Sequence, residues 1–179
     1  MKPPNLNEGY VQVYTGNGKG KTTAAIGLAV RAAGAGLKTF FLQLMKEYPY
    51  SEISALKKFK STIDIVQCGT DDFVYKKEKP PAEEVNKVNA CLDEAMQMMK
   101  SAEYNIIILD EVLVSIYFGL IQTAKVVEFI EAKPEKVELI LTGRYCPEEI
   151  IERADLVTEM KEIKHYYAKG VLARKGIES

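Results

Sequence analysis

The chain has 179 residues and a mass of 20.0 kDa, room for one domain or at most two small ones, and its 47% hydrophobic content is ordinary for a globular core. With 24 Lys plus Arg against 25 Asp plus Glu the net charge is −1, which excludes a whole-protein field that draws nucleic acid or an anionic membrane, so any bound anion is gripped locally. Cys68, Cys91 and Cys146 are too few and too scattered for a disulfide framework or a zinc knuckle, and a reducing cytoplasm is the expected compartment.

Met1 to Glu8 is polar and proline-bearing, without the apolar core of a secretory signal. Gly9 to Tyr14 then reads as a strand, Thr22 to Ala35 as a helix, Thr39 to Leu44 as a strand, Glu52 to Phe59 as a helix and Ile63 to Val66 as a third strand. Cys68 to Pro81 is a charge-dense loop long enough to need a purpose. Ala82 to Lys100 is predicted helical, with Val85, Val88, Leu92, Ala95, Met96 and Met99 on one face, a stripe read as core. Strand Asn105 to Leu109 opens the longest apolar stretch, Ile106 to Ile121, which Asp110 and Glu111 interrupt and which is shorter than the roughly 20 residues of a membrane helix. Helix Thr123 to Ala132, strand Val137 to Leu141, helix Pro147 to Ala154 and strand Leu156 to Met160 follow, and the tail reads as irregular structure over the sheet edge. Continuous apolar strands alternating with helices predict an α/β fold, a mainly parallel sheet flanked by helices in three layers, with residues 1–179 as one domain.

Between the first strand and the first helix stands Thr15-Gly16-Asn17-Gly18-Lys19-Gly20-Lys21-Thr22. The P-loop pattern is G-x-x-x-x-G-K-[ST]: glycines let backbone N–H groups crowd round phosphate oxygens, the lysine neutralises their charge, and the hydroxyl binds Mg²⁺. Thr15 stands where that pattern has its leading glycine. The loop nevertheless follows an apolar strand and opens a helix whose first N–H groups favour an anion. Strand Ile106 to Leu109 ends on Asp110 and Glu111, where P-loop proteins hold an acidic residue on Mg²⁺. Nucleotide binding follows, and on these residues alone three uses stay open: a P-loop ATPase or small-molecule kinase, a non-catalytic nucleotide-gated module, or another transfer from ATP.

The longer wording narrows this. Thr15 through Thr23 followed by Ala24-Ala25-Ile26-Gly27-Leu28-Ala29, then Gln43-Leu44-Met45-Lys46, Leu109-Asp110-Glu111, Thr142-Gly143-Arg144 and Lys164-His165 through Gly176-Ile177-Glu178, resembles the P-loop type of ATP:corrinoid adenosyltransferase over nearly the whole chain. The threonine-headed loop is similar to that family's own form. The resemblance implies that a cobalt(I) corrinoid attacks C5′ of ATP and expels inorganic triphosphate, with the nucleotide lying in reversed polarity. It implies a P-loop fold, Mg²⁺, ATP and a corrinoid as substrates, an electron-donating reductase, and a homodimer, with neither nucleic acid nor membrane as partner. The loop pattern and this resemblance together place Thr15, Gly16, Asn17, Gly18, Lys19, Gly20, Lys21, Thr22 and Thr23 on ATP and Thr22, Asp110 and Glu111 at Mg²⁺, with the ligating acid open between the last two. Arg144, just after the fifth strand, is expected on ATP, a surface ion pair being the other reading. Lys21, Thr22, Asp110 and Glu111 are expected to carry catalysis.

Phe73 and Tyr75 match the family's aromatic pair in the charged loop, which strips cobalt(II) of its lower axial ligand. The second is Tyr, and the chain has no Trp. With His165, the one histidine, they are the expected corrinoid contacts. Lys46 reads equally as a phosphate contact or a surface ion pair, and Cys146 as a packed residue. Only eight residues precede the first strand, so the longer N-terminal cover found in some members is expected to be missing or shortened.

Overall fold

The computed structural model describes residues 6–46, 50–72 and 78–178. Strands β1 (Val11–Thr15), β2 (Thr39–Leu44), β3 (Ile63–Cys68), β4 (Ile106–Asp110), β5 (Glu138–Thr142) and β6 (Leu156–Glu159) form one sheet in the order β3-β2-β4-β5-β1-β6. Every pairing is parallel, so all carboxyl ends open on the same side. The crossover elements are α1 (Lys21–Gly34), α2 (Ser51–Leu56), α3 (Ala82–Lys100), α4 (Val112–Tyr117), α5 (Thr123–Glu131) and α6 (Glu148–Ile151). From β1 the chain passes over two positions to reach β2, and β4 and β5 later fill the gap. The carboxyl ends of β2, β4, β5 and β1 therefore lie side by side, the place where open α/β sheets bind ligands.

Each central strand is buried on both faces. Leu42, Ile107, Leu109, Leu139 and Leu141 point towards one core with Val88, Leu92 and Met99 of α3, Leu113 of α4 and Phe129 of α5. Phe41, Ile106, Ile108 and Ile140 face the other, under Ala25, Ala29 and Ala32 of α1 and Leu56 of α2. Covering a Leu or Ile side chain contributes about 1.5–3 kcal/mol, which is why these strands read as apolar runs. In α1 the inward positions are alanines, whose small size lets the helix lie close over the strands. On α3 the predicted stripe is the inward face: Val88, Leu92, Ala95 and Met99 are buried, with Val85 and Met96 half-buried against them.

The fold corrects several expectations. Three cysteines do not exclude a disulfide: Cys68 and Cys91 are bonded, and only Cys146 is free. The separation along the chain carried no hint, because the bond depends on β3 ending against the middle of α3. That approach is close enough that a Cβ on Gly69 (φ +81°) would lie 2.8 Å from Cγ2 of Val88. Residues Val112–Tyr117 form α4, an element absent from the sequence reading. Glu111 turns the apolar run there by taking the left-handed conformation at φ 62°. The second predicted helix stops at Leu56 and continues as a 3-10 turn over Lys57–Phe59, and α6 spans only Glu148–Ile151. Among the described residues no helix is long and apolar enough to cross a membrane.

Candidate active site

The loop between β1 and α1 closes on itself. Gly16 (φ +99°) and Gly20 (φ +120°) adopt backbone angles that side chains disfavour. Lys21, 5% exposed, donates from Nζ to the carbonyls of Gly16 and Gly18, both at 2.7 Å. Burial, and after it the neighbouring Arg144 charge, push the Lys21 ammonium below the usual lysine range. No side chain caps α1 at Gly20, and Gly20 to Thr23 border the larger cavity, so the first turn of the helix offers its N–H groups to a phosphate there.

At the end of β4, Asp110 is fully buried. Its Oδ1 accepts from Thr142 Oγ1 at 2.6 Å and Thr22 Oγ1 at 2.9 Å. Its Oδ2 accepts from Lys46 Nζ at 2.7 Å. Burial opposes the charge of Lys46, but the Asp110 carboxylate outweighs it and holds the ammonium above the usual lysine range. Glu111 has its amide on Thr142 Oγ1 at 3.0 Å. Burial, then the Asp110 charge, raise its carboxyl above the usual carboxylate range. Hydroxyl and carboxylate oxygens suit Mg²⁺, which takes one or two carboxylates and completes its shell with phosphate and water oxygens. The Lys46 ammonium already stands as a cation against both Thr22 and Asp110. The donor set therefore fits the ion.

Two cavities meet here. The larger, about 830 Å³, runs from Asn17 to Thr23 across Lys46, Tyr50, Glu52, Glu111 and Arg144 to Glu162, His165, Tyr167 and Gly176 to Glu178 of the tail. The smaller, about 390 Å³, is walled by Met45, Val114, Phe118 and Tyr145 with Asp71 at its edge. Lys46, Tyr50, Glu111 and Arg144 line both. Four non-glycine residues among those described have positive φ, and Met45, Glu111 and Tyr145 of these border the smaller cavity. Such strain persists where surrounding structure enforces it, commonly at functional sites.

The model of the ATP:corrinoid adenosyltransferase BtuR/CobO/CobP family matches residues 7–179. The chain belongs to this family. It is thus a transferase, and its relatives agree. A corrinoid adenosyltransferase of Escherichia coli (strain K12) is 32% identical over 95% of this chain and 85% of its own. One from Pseudomonas aeruginosa is 30% identical over 95% and 83%. Corrinoid adenosyltransferase CobA of Salmonella typhimurium is 30% identical over 95% and 85%. Among solved structures, the KaiC-like protein PH0186 from Pyrococcus horikoshii OT3 has a TM-score of 0.55 at 22% identity, over 97% of this chain and 77% of that one. The flagellar accessory protein FlaH from Methanocaldococcus jannaschii has a TM-score of 0.57 at 15% identity, over 86% and 72%. The fold is P-loop NTPase-like.

Asn17 through Thr23, Glu111, Arg144 and His165 all border the larger cavity of this family member. Thr15 and Gly16 lie behind it: Thr15 ends β1, and Gly16 supplies a carbonyl to Lys21. Lys19 is exposed and donates to the Ile177 carbonyl at 3.0 Å. His165 faces the nucleotide loop, away from the smaller cavity, with Nδ1 accepting from the Tyr167 amide at 3.0 Å. Phe73 and Tyr75 fall outside the described residues. The tail does more than cover an edge, since it forms one wall of the larger cavity. Sequence reasoning missed Phe118 and Tyr145 and left Lys46 ambiguous. Tyr145 carried a usable signal, standing directly after Arg144 at the carboxyl end of β5.

Proposed function

We propose that this enzyme transfers the 5′-deoxyadenosyl group of ATP to the cobalt(I) of a corrinoid and releases inorganic triphosphate. The observation that carries the reading is the shared border of the two cavities, Lys46, Tyr50, Glu111 and Arg144. An anion-gripping cavity opens directly onto an apolar one, as a reaction joining a nucleotide to a corrinoid requires. The cobalt(I) electron pair forms the bond to C5′, the C5′–O bond breaks, and its electrons leave with triphosphate. Nucleophile and leaving group both come from the substrates, so the protein's work is positioning and charge stabilisation. The first-turn N–H groups of α1, Lys21 and Arg144 meet the negative charge that grows on triphosphate, and stabilisation that grows with the reaction raises rate. Thr22 and Asp110 would hold Mg²⁺, which adds positive charge against the same leaving group. Glu111, at the seam of the cavities, orients the substrates.

The corrinoid lies in the smaller cavity against Phe118 and Tyr145, with Phe73 and Tyr75 as contacts carried from the family resemblance; His165, the third such contact, borders the larger cavity and meets the corrinoid from the nucleotide side. Residues 1–179 act as one domain, a reading supported by the continuous sheet. A reductase supplies the electron that makes cobalt(I), the protein is a homodimer, and it works in the cytoplasm, where ATP is made, in adenosylcobalamin biosynthesis or salvage. Incubation with ATP, Mg²⁺ and chemically reduced corrinoid should yield adenosylated corrinoid and triphosphate in equal amounts. Orthophosphate without adenosylation would return the chain to the ATPase reading.

A further inference from the structure

Lys46 sits two residues beyond β2, and its side chain is 11% exposed. Its ammonium lies 2.7 Å from Asp110 Oδ2 and 3.2 Å from Thr22 Oγ1, the acid and the hydroxyl assigned above to Mg²⁺. Thr22, Thr142 and Gln43, the other side chains on Asp110, are neutral. Lys21 is turned away onto the carbonyls of its own loop. Lys46 is therefore the one cation bonded to this buried carboxylate among the described residues. A carboxylate with no exposed surface is costly without a partner, so the fold without nucleotide needs a positive charge at this point.

We propose that Lys46 is a built-in counter-ion which occupies the Mg²⁺ position of the nucleotide-free enzyme and makes metal binding conditional on nucleotide. The proposal rests on the Mg²⁺ assignment made under the proposed function. A divalent ion arriving alone must displace or crowd the Lys46 ammonium in a cavity that Lys21 and Arg144 also line, where the carboxylates acting on that ammonium are Asp110, Glu111 and Glu52. Like charges brought together out of water repel strongly. A triphosphate brings enough negative charge to hold the metal and the released ammonium together. Lys46 borders both cavities and lies 5.3 Å from the Tyr50 ring centre, so the displaced ammonium stays at the seam where the two substrates meet.

The test uses Mn²⁺ as the probe, followed by electron paramagnetic resonance on the whole chain without ATP or corrinoid. The expected result is weak Mn²⁺ binding by the unmodified protein and at least about tenfold tighter binding by Lys46→Met, because the competing charge is gone. Lys46→Gln, which keeps hydrogen-bonding capacity without charge, should gain equally and serves if Lys46→Met does not fold. Lys46→Arg should remain weak. Adding Asp110→Asn to either neutral variant should abolish the gain. Unchanged or weaker Mn²⁺ affinity in the neutral variants, or a gain that survives Asp110→Asn, overturns the proposal. No turnover is measured, so failure here is distinct from a failure to adenosylate corrinoid.

Discussion

Gly18 donates its amide hydrogen to the carbonyl of Met160 at 2.6 Å, and Met160 donates back to Thr15 at 2.8 Å. The phosphate loop is thereby tied to the chain leaving β6. A Cβ on Gly18 would fall 2.6 Å from that Met160 oxygen, far inside contact distance. Gly18→Ala should weaken ATP binding by about tenfold or more while costing about 1–3 kcal/mol of stability, the usual range for forced overpacking. Calorimetric titration with ATP and urea unfolding read the two effects separately.

Lys21→Ala removes the ammonium that now bridges Gly16 and Gly18. Turnover should fall by at least about 10²-fold, the scale for losing one preorganised group at a developing charge. An adenosylation rate within threefold of the unmodified enzyme would exclude the loop as the site of triphosphate departure.

Tyr145 stacks on Tyr117 with ring centres 4.1 Å apart and walls the smaller cavity beside Phe118. Truncating either Tyr145 or Phe118 to Ala should raise the KM for corrinoid about tenfold and leave the KM for ATP unchanged. Losing a few apolar contacts in a binding cavity is worth about 1–3 kcal/mol. Parallel shifts in both constants would move the corrinoid elsewhere.

Thiol counting checks the sulfur chemistry. Unfolded without reductant, the chain should take up one equivalent of alkylating agent, at Cys146, and after reduction three. In the folded protein Cys146 should react slowly at neutral pH, because burial, then the Glu148 charge, push its thiol up to about 11. Cys91→Ser should lower stability by about 2–4 kcal/mol relative to the oxidised protein in urea unfolding.

Tyr104 donates to Asp64 Oδ2 at 2.8 Å. Burial, then this bond, raise its phenol to about 12 from 10.0. The folded state therefore keeps the proton longer than the unfolded state. Its stabilising contribution is complete below pH 10 and is lost as pH rises towards 12. The stability difference between the unmodified protein and Tyr104→Phe should thus shrink between urea unfolding at pH 9 and at pH 11. A constant difference would remove the phenol from the linkage.

The strands were legible because burial on both faces leaves an unbroken apolar run, as in Ile106-Ile107-Ile108-Leu109. The phosphate loop was legible because its chemistry is local in sequence. Helix α4 was not, since its apolar residues continue those of β4 and the break lies in one backbone angle at Glu111. The Lys46–Asp110 pair and the Cys68–Cys91 bond were hidden for a common reason. Each joins residues far apart in the chain, 64 positions for the ion pair and 23 for the sulfurs; the order of the sheet, with β2 beside β4, makes the first, and the packing of α3 on the end of β3 makes the second.

The sulfur bridge also alters the topology of the charged loop. Backbone from Cys68 to Cys91 plus the cystine makes a covalent ring, and Lys79 lies inside it. One peptide-bond cut before Lys79, between it and Glu78, releases no fragment and adds only a water to the mass. The nicked protein remains a single molecule until the sulfurs are reduced, and only then separates into two pieces.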